Sequence, residues 1–153
     1  MLCQHLKMIA RSIFRILAMA VVLTWALLSS PIGSRSASAD PCPEVEAVFA
    51  TNEPPEVGNI GQAFIDSLRS QIGGRSVGVY PVNYPATDDF VSSALAGADN
   101  ARGHVEKMVA TCPNTRMVLG GYSQGAGVID LTTDQLPPQA ANHVAAVAGL
   151  RQS

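Results

Sequence analysis

The chain has 153 residues, 47% of them hydrophobic and 14% charged, with a formal charge of −2, which is enough chain and enough apolar content for one domain. No internal repeat or low-complexity tract is present, so neither a solenoid nor a disordered polypeptide is expected. The charge is unevenly spread along the chain, and its first residues explain why.

Lys7, Arg11 and Arg15 make a basic start, Ile16 to Leu28 is an apolar run, and a small polar stretch ends Ala37-Ser38-Ala39. This is the layout of a secretory signal peptide over residues 1–39, with Asp40 as the first mature residue. A membrane anchor is the rival, but a span needs about 20 apolar residues, so no stable membrane span is expected. Removing the leader takes away four of the ten basic residues and none of the twelve acidic ones, leaving six against twelve and a formal charge of −6. A body this acidic, with scattered arginines, offers no basic face for phosphates, so nucleic acid is not an expected partner. The expected location is secreted, outside the cell.

Cys42 and Cys112 remain after export, an even pair suited to one disulfide in an oxidising compartment, the rival being two buried thiols. Val45 to Ala50 is a short Val- and Phe-containing run bounded by prolines and reads as a buried strand. Ile60, Phe64, Leu68 and Ile72 recur every four residues and stop at Gly73-Gly74, which predicts an amphipathic helix with a glycine stop. Ser76 to Val82 reads as a second strand, followed by a loop at Asn83-Tyr84-Pro85-Ala86. From Phe90, the apolar positions Ala94, Leu95, Ala98, Ala101, Val105 and Met108 keep helical spacing to Thr111. Asp88 or Asp89 is placed to cap that helix, while Gly97 and Gly103 weaken it by up to about 1 kcal/mol each. Arg116 to Leu119 is a third strand, Ala126 to Thr132 suits a helix, Pro137-Pro138 breaks it, and His143 onward starts another strand. Alternation of strands and helices predicts an α/β fold with a parallel sheet covered by helices.

The third strand runs into Gly121-Tyr122-Ser123-Gln124-Gly125, a G-x-S-x-G pattern. Between a strand and a helix this pattern makes a sharp turn that strains the serine and lifts its Oγ clear of the sheet, and small flanking residues let strand and helix approach. Ser123 is therefore the candidate nucleophile. The first amides of the following helix, led by the Gln124 N–H, would face a developing oxyanion. The customary chain order on such a fold is Ser, then Asp or Glu, then His. After Ser123 the candidates are Asp130, Asp134 and His143. Asp130 lies two helical turns past the elbow, and His143 precedes its strand, whereas sites gather at carboxyl ends. His104 sits in the middle of a helix and reads as a solvated histidine. No helper is evident.

The segments "CPEVEAVFA" with "TNEPPEVGNIGQAF", "GVYPVNYPA" and above all "CPNTRMVLGGYSQGAGV" resemble the cutinases, small secreted serine esterases of the α/β-hydrolase fold, over nearly all of Pro41 to Val147. The resemblance implies that Ser123 forms the acyl-enzyme, that Gln124 gives a backbone N–H to the oxyanion hole, and that Cys42 pairs with Cys112. The family's second oxyanion donor is a Ser or Thr in the loop after the first strand, within F-A-R-G-[ST]-x-E. Here Phe49-Ala50-Thr51-Asn52-Glu53 offers Thr51 without the Arg-Gly pair. The resemblance further implies a small-molecule or lipid-like ester as substrate, and no metal or other cofactor. Family members continue past this point with a catalytic Asp and a final His, whereas this chain reads Gly149-Leu150-Arg151-Gln152-Ser153. A one-base insertion ahead of codon 149 would turn a family-like Val-Phe-Gly-Asn-Pro reading into Gly-Leu-Arg-Gln-Ser. Residues 40–153 are therefore expected to form a partial cutinase-like domain, truncated or frameshifted. Two functions follow as expectations: a secreted esterase acting through Ser123, or a catalytically inactive remnant lacking the triad Asp and His.

Overall fold

The computed structural model describes residues 42–150; the expected leader at 1–39, the mature start at Asp40 and the last three residues lie outside the described residues. The described chain forms four strands and four helices: β1 Val45–Ala50, α1 Gly58–Gln71, β2 Val77–Pro81, α2 Phe90–Thr111, β3 Arg116–Tyr122, α3 Gln124–Gln135, the short α4 Pro138–Ala141, and β4 Val144–Leu150. All pairings are parallel and the strand order is β2-β1-β3-β4. The fold is the expected α/β sheet with flanking helices.

Central position explains the composition of β1. All six of its residues are buried, because a parallel strand with neighbours on both edges and helices on both faces meets no water. On one face the Phe49 ring meets that of Phe64 of α1, tilted by 40° with centroids 5.4 Å apart. On the other, Val48, Ala50, Met117 and Leu119 meet Ala101, Val105 and Met108 of α2 and Val128 and Ile129 of α3. β4 lies at an edge of the sheet, and its Ala145, Ala146 and Val147 are exposed.

Several local expectations hold. Asp89 caps α2 by accepting from the Ser92 amide, and Gly73 and Gly74 end α1 in the left-handed region. Cys42 and Cys112 are bonded, with Cα atoms 5.5 Å apart and a sequence separation of 70. A closed loop of that length stabilises the fold by about 4 kcal/mol in the chain-entropy account.

Two expectations are corrected. The apolar stripe of α1 is displaced in part from the one read at Ile60, Phe64, Leu68 and Ile72: Phe64, Leu68 and Ile72 are half-buried, but Gly61 and Ile65 are the fully buried residues and Ile60 is 43% exposed. The Phe49 ring decides this, because a Cβ on Gly61 would lie 2.8 Å from it, so α1 rests its glycine against the sheet. Gly97 likewise does more than weaken α2. A Cβ there would sit 2.8 Å from Val128, so its absence lets α2 and α3 approach.

Candidate active site

In the order β2-β1-β3-β4 the chain turns back between β1 and β3. The helix after β1 packs against one face through Phe49 and Gly61, and the helix after β3 against the other through Val128 and Ile129. Connections that leave in opposite directions open a crevice beyond the carboxyl ends of two adjacent parallel strands, where open α/β sheets bind ligands. Thr51 follows β1 and Ser123 follows β3, and Ala50 pairs with Gly121 across the sheet. Topology alone therefore brings these two residues, 72 positions apart, to the same crevice.

Ser123 adopts φ 56°, ψ −121°, outside the regions comfortable for a residue with a Cβ. Its N–H bonds to the Leu150 carbonyl at 3.0 Å, and its carbonyl accepts from the Ala126 N–H at 3.0 Å as the first bond of α3. The turn from strand to helix is thus completed within one residue. The flanking glycines are obligatory for steric reasons. A Cβ on Gly121 would collide with the Gly125 carbonyl, and one on Gly125 with the Ala50 carbonyl and the Thr51 nitrogen. Ser123 itself is partly exposed. The Gln124 N–H belongs to the first turn, among the amides a helix leaves without an internal partner.

Thr51 is buried, at 4% exposure. Its hydroxyl donates to Asn52 Oδ1 at 3.4 Å, and its carbonyl accepts from the Tyr84 hydroxyl at 2.6 Å. The close approach of Gly125 to the Thr51 nitrogen places Thr51 directly against the start of α3, so the shortened Phe49–Glu53 loop still delivers it to the elbow. A cavity of about 250 Å³ opens beside it, lined by Thr51, Asn52, Glu53, Gly58, Asn59, Ile60 and Tyr122. The Gln124 side chain donates from Nε2 to the Thr87 carbonyl at 3.0 Å.

The candidate helpers do not converge on Ser123. The His143 carbonyl accepts from the Met117 N–H, which puts His143 at the amino-terminal end of the sheet. Asp130 is exposed on α3, about 10 Å along the helix axis from the elbow at 1.5 Å per residue. His104 is not solvated as the sequence suggested. Its side chain is only 14% exposed, Nε2 lies 2.8 Å from Glu46 Oε1, and its ring stacks on Tyr80 at 3.5 Å. Glu46, near the start of β1, draws it toward the end of the sheet away from the elbow, because a carboxyl group buried in a strand must find a partner. Among the described residues no imidazole hydrogen-bonds to Ser123, and no group of three or more His, Cys, Asp or Glu could hold a metal.

Tyr84 lies in the expected loop after β2, yet it is 6% exposed, and burial pushes its phenol up to about 12 from 10.0. An aromatic residue between Asn83 and Pro85, just after a strand, was the available signal, since a buried tyrosine must bring its hydroxyl to an acceptor.

Residues 41–150 match the model of the Cutinase family. Carboxylesterase Culp1 of Mycobacterium tuberculosis is 57% identical over 143 residues, an alignment that covers 92% of this chain and 66% of the relative. Phospholipase Culp4 of the same species is 48% identical over 134 residues, covering 80% of this chain and 58% of that one. Among solved structures, a Trichoderma reesei cutinase in complex with a phosphonate inhibitor superposes with a TM-score of 0.64 at 37% identity, over 72% of this chain and 52% of that one. The chain spans between about half and two thirds of the length of the curated relatives it matches. An elbow serine at a topological switch point, on a sheet that superposes on a cutinase and within a segment that matches the family's model, leaves one assignment: this chain belongs to the cutinase family.

Proposed function

We propose that the chain is a secreted serine esterase that hydrolyses carboxylic esters of lipid-like character through an acyl-enzyme on Ser123. The observation that carries this reading is the strained, partly exposed Ser123 at the switch point, with Thr51 and the first turn of α3 beside it. Ser123 Oγ would attack the ester carbonyl carbon, its proton passing to water or to a base other than the described imidazoles and from there to the departing alcohol. The carbonyl oxygen, now an oxyanion, would rest on the Gln124 N–H and on Thr51. Collapse expels the alcohol, and water then releases the acid and regenerates the serine. An apolar surface lies next to the site. Phe90, Val91 and Leu95 at the start of α2 are 60, 71 and 45% exposed, and they follow closely in the chain on Thr87, which holds Gln124. Exposed apolar residues grouped in this way suit an acyl chain. Export by the leader at 1–39 and the acidic body match extracellular work on uncharged esters rather than on nucleic acid.

A second reading is favoured by the placement of both described imidazoles away from Ser123. On that reading the chain keeps the elbow and turns over no ester. Removing the base of a serine hydrolase leaves about a millionth of kcat. A fluorophosphonate probe and p-nitrophenyl butyrate separate the two. Stoichiometric labelling that disappears in Ser123→Ala, together with ester turnover, upholds the esterase. Absence of both leaves the inactive chain.

A further inference from the structure

The two residues assigned above to the oxyanion hole lie 73 positions apart and sit on different elements, yet one short segment holds both. The Tyr84 hydroxyl donates to the Thr51 carbonyl at 2.6 Å, and three residues later the Thr87 carbonyl accepts from the Gln124 side-chain amide at 3.0 Å. The segment between β2 and α2 is itself tied down. At its start the Val82 N–H bonds to the Phe49 carbonyl at 2.9 Å, and the Asn83 N–H to Asn100 Oδ1 at 3.1 Å. At its end the Thr87 N–H bonds to Ser93 Oγ at 3.0 Å, and the two hydroxyls of Thr87 and Ser93 meet at 2.9 Å. Tyr84 and Ser93 are buried at 6% and 2% exposure, and the Tyr84–Thr51 bond is shielded from water, whereas the Gln124–Thr87 bond is exposed. Between the two contacts Ala86 takes φ 51°, a left-handed conformation that a residue with a Cβ holds only when its surroundings impose it.

We propose that the Val82–Asp89 segment is a clamp that sets the spacing of the oxyanion hole, with Tyr84 and Ser93 as positioning residues acting through Thr51 and Gln124. The inference rests on the oxyanion-hole reading of those two residues. Donors in such a site work because they are in place before charge develops, within about 0.5 Å of the productive geometry. Thr51 ends a strand and Gln124 begins a helix, and a bridge bonded to both at points three residues apart holds their separation. No part of the clamp touches the reacting atoms.

Tyr84→Phe removes one hydroxyl and keeps the ring that fills the core. Its test is the second-order rate of Ser123 phosphonylation by a p-nitrophenyl alkylphosphonate, whose phosphoryl oxygen takes the oxyanion's place. The expected result is a fall of about tenfold in wild-type background, less than the loss of a whole donor, shrinking to less than about twofold in Thr51→Ala, as coupling between residues in one network requires. An unchanged rate, or an equal fall in both backgrounds, overturns the proposal. A second readout does not depend on reactivity. Backbone order parameters of Thr51 and Asn52, from nitrogen-15 relaxation, should drop from about 0.85 to below about 0.6 in Tyr84→Phe. If the parent chain takes no label, the esterase reading fails and the order parameters alone decide the clamp, unchanged values overturning it. If Tyr84→Phe does not fold, Ser93→Ala, which frees Thr87, is measured in the same way at Gln124 and decides by the same outcomes.

Discussion

At Ser123 the backbone carries a strain that packing imposes. A φ of 56° with ψ −121° is disfavoured for serine, and it persists because Gly121 and Gly125 wedge strand and helix together around it. Strain of this kind is worth about 1–3 kcal/mol, and glycine is free of it. Ser123→Gly should therefore raise the free energy of unfolding by about 1 kcal/mol after the extra chain entropy of glycine is subtracted. Urea titration of the two chains measures this, and a destabilised variant would mean that the elbow is relaxed. The glycines around the serine were legible in the sequence because contact between backbones tolerates no side chain. Thr51 was legible only through resemblance. Nothing in its neighbours distinguishes a buried donor beside an elbow from an ordinary loop threonine, since its place depends on the pairing of Ala50 with Gly121, far along the chain.

The helices show where periodicity succeeds and where it misleads. In α2 Ala98 and Ala101 face the core, as their spacing suggests, and Gly97 joins them because α3 comes close there. In α1 the large residues set the apparent stripe, but the sheet offers the ring of Phe49 at that point, and the helix turns its glycine to it. A hydrophobic pattern reports which residues prefer burial and not the shape of the surface they meet. The contact between α2 and β1 makes the same point with polar groups. Glu46 sits within a strand of apolar residues, 6% exposed, and is satisfied by His104, 58 positions later. His104→Leu would leave that carboxylate buried without its partner, and should lower stability by about 3 kcal/mol. Glu46→Gln, which retains a hydrogen bond, should cost less. Thermal unfolding of the two variants beside the parent tests the order, and equal losses would show that the pair does not matter to the fold.

For the molecule as a whole, the buried phenol of Tyr84 links the end of β1 to the loop that precedes α2, and its ionisation bears on global stability. Its value is raised from 10.0 to about 12 by burial. Between those two pH values the unfolded chain has released the proton that the folded chain still holds, so stability present below pH 10 falls as pH rises, by about 2 kcal/mol by pH 12. Urea unfolding at pH 9 and pH 11.5, compared between parent and Tyr84→Phe, isolates this contribution. A parent that loses no more stability than the variant would mean that the phenol is solvated. At this scale the division between sequence and structure becomes plain. Strand and helix alternation, the glycine-flanked turn at Ser123 and an aspartate cap at Asp88 or Asp89 are local matters of backbone sterics and short-range hydrogen bonding, and the sequence by itself determined them. Strand order, the face that α1 buries, the partner of Glu46 and the hold of Tyr84 on Thr51 join residues dozens of positions apart. Only the tertiary structure decided these, because such contacts depend on how the finished surfaces fit, and no local pattern encodes the shape of a distant partner.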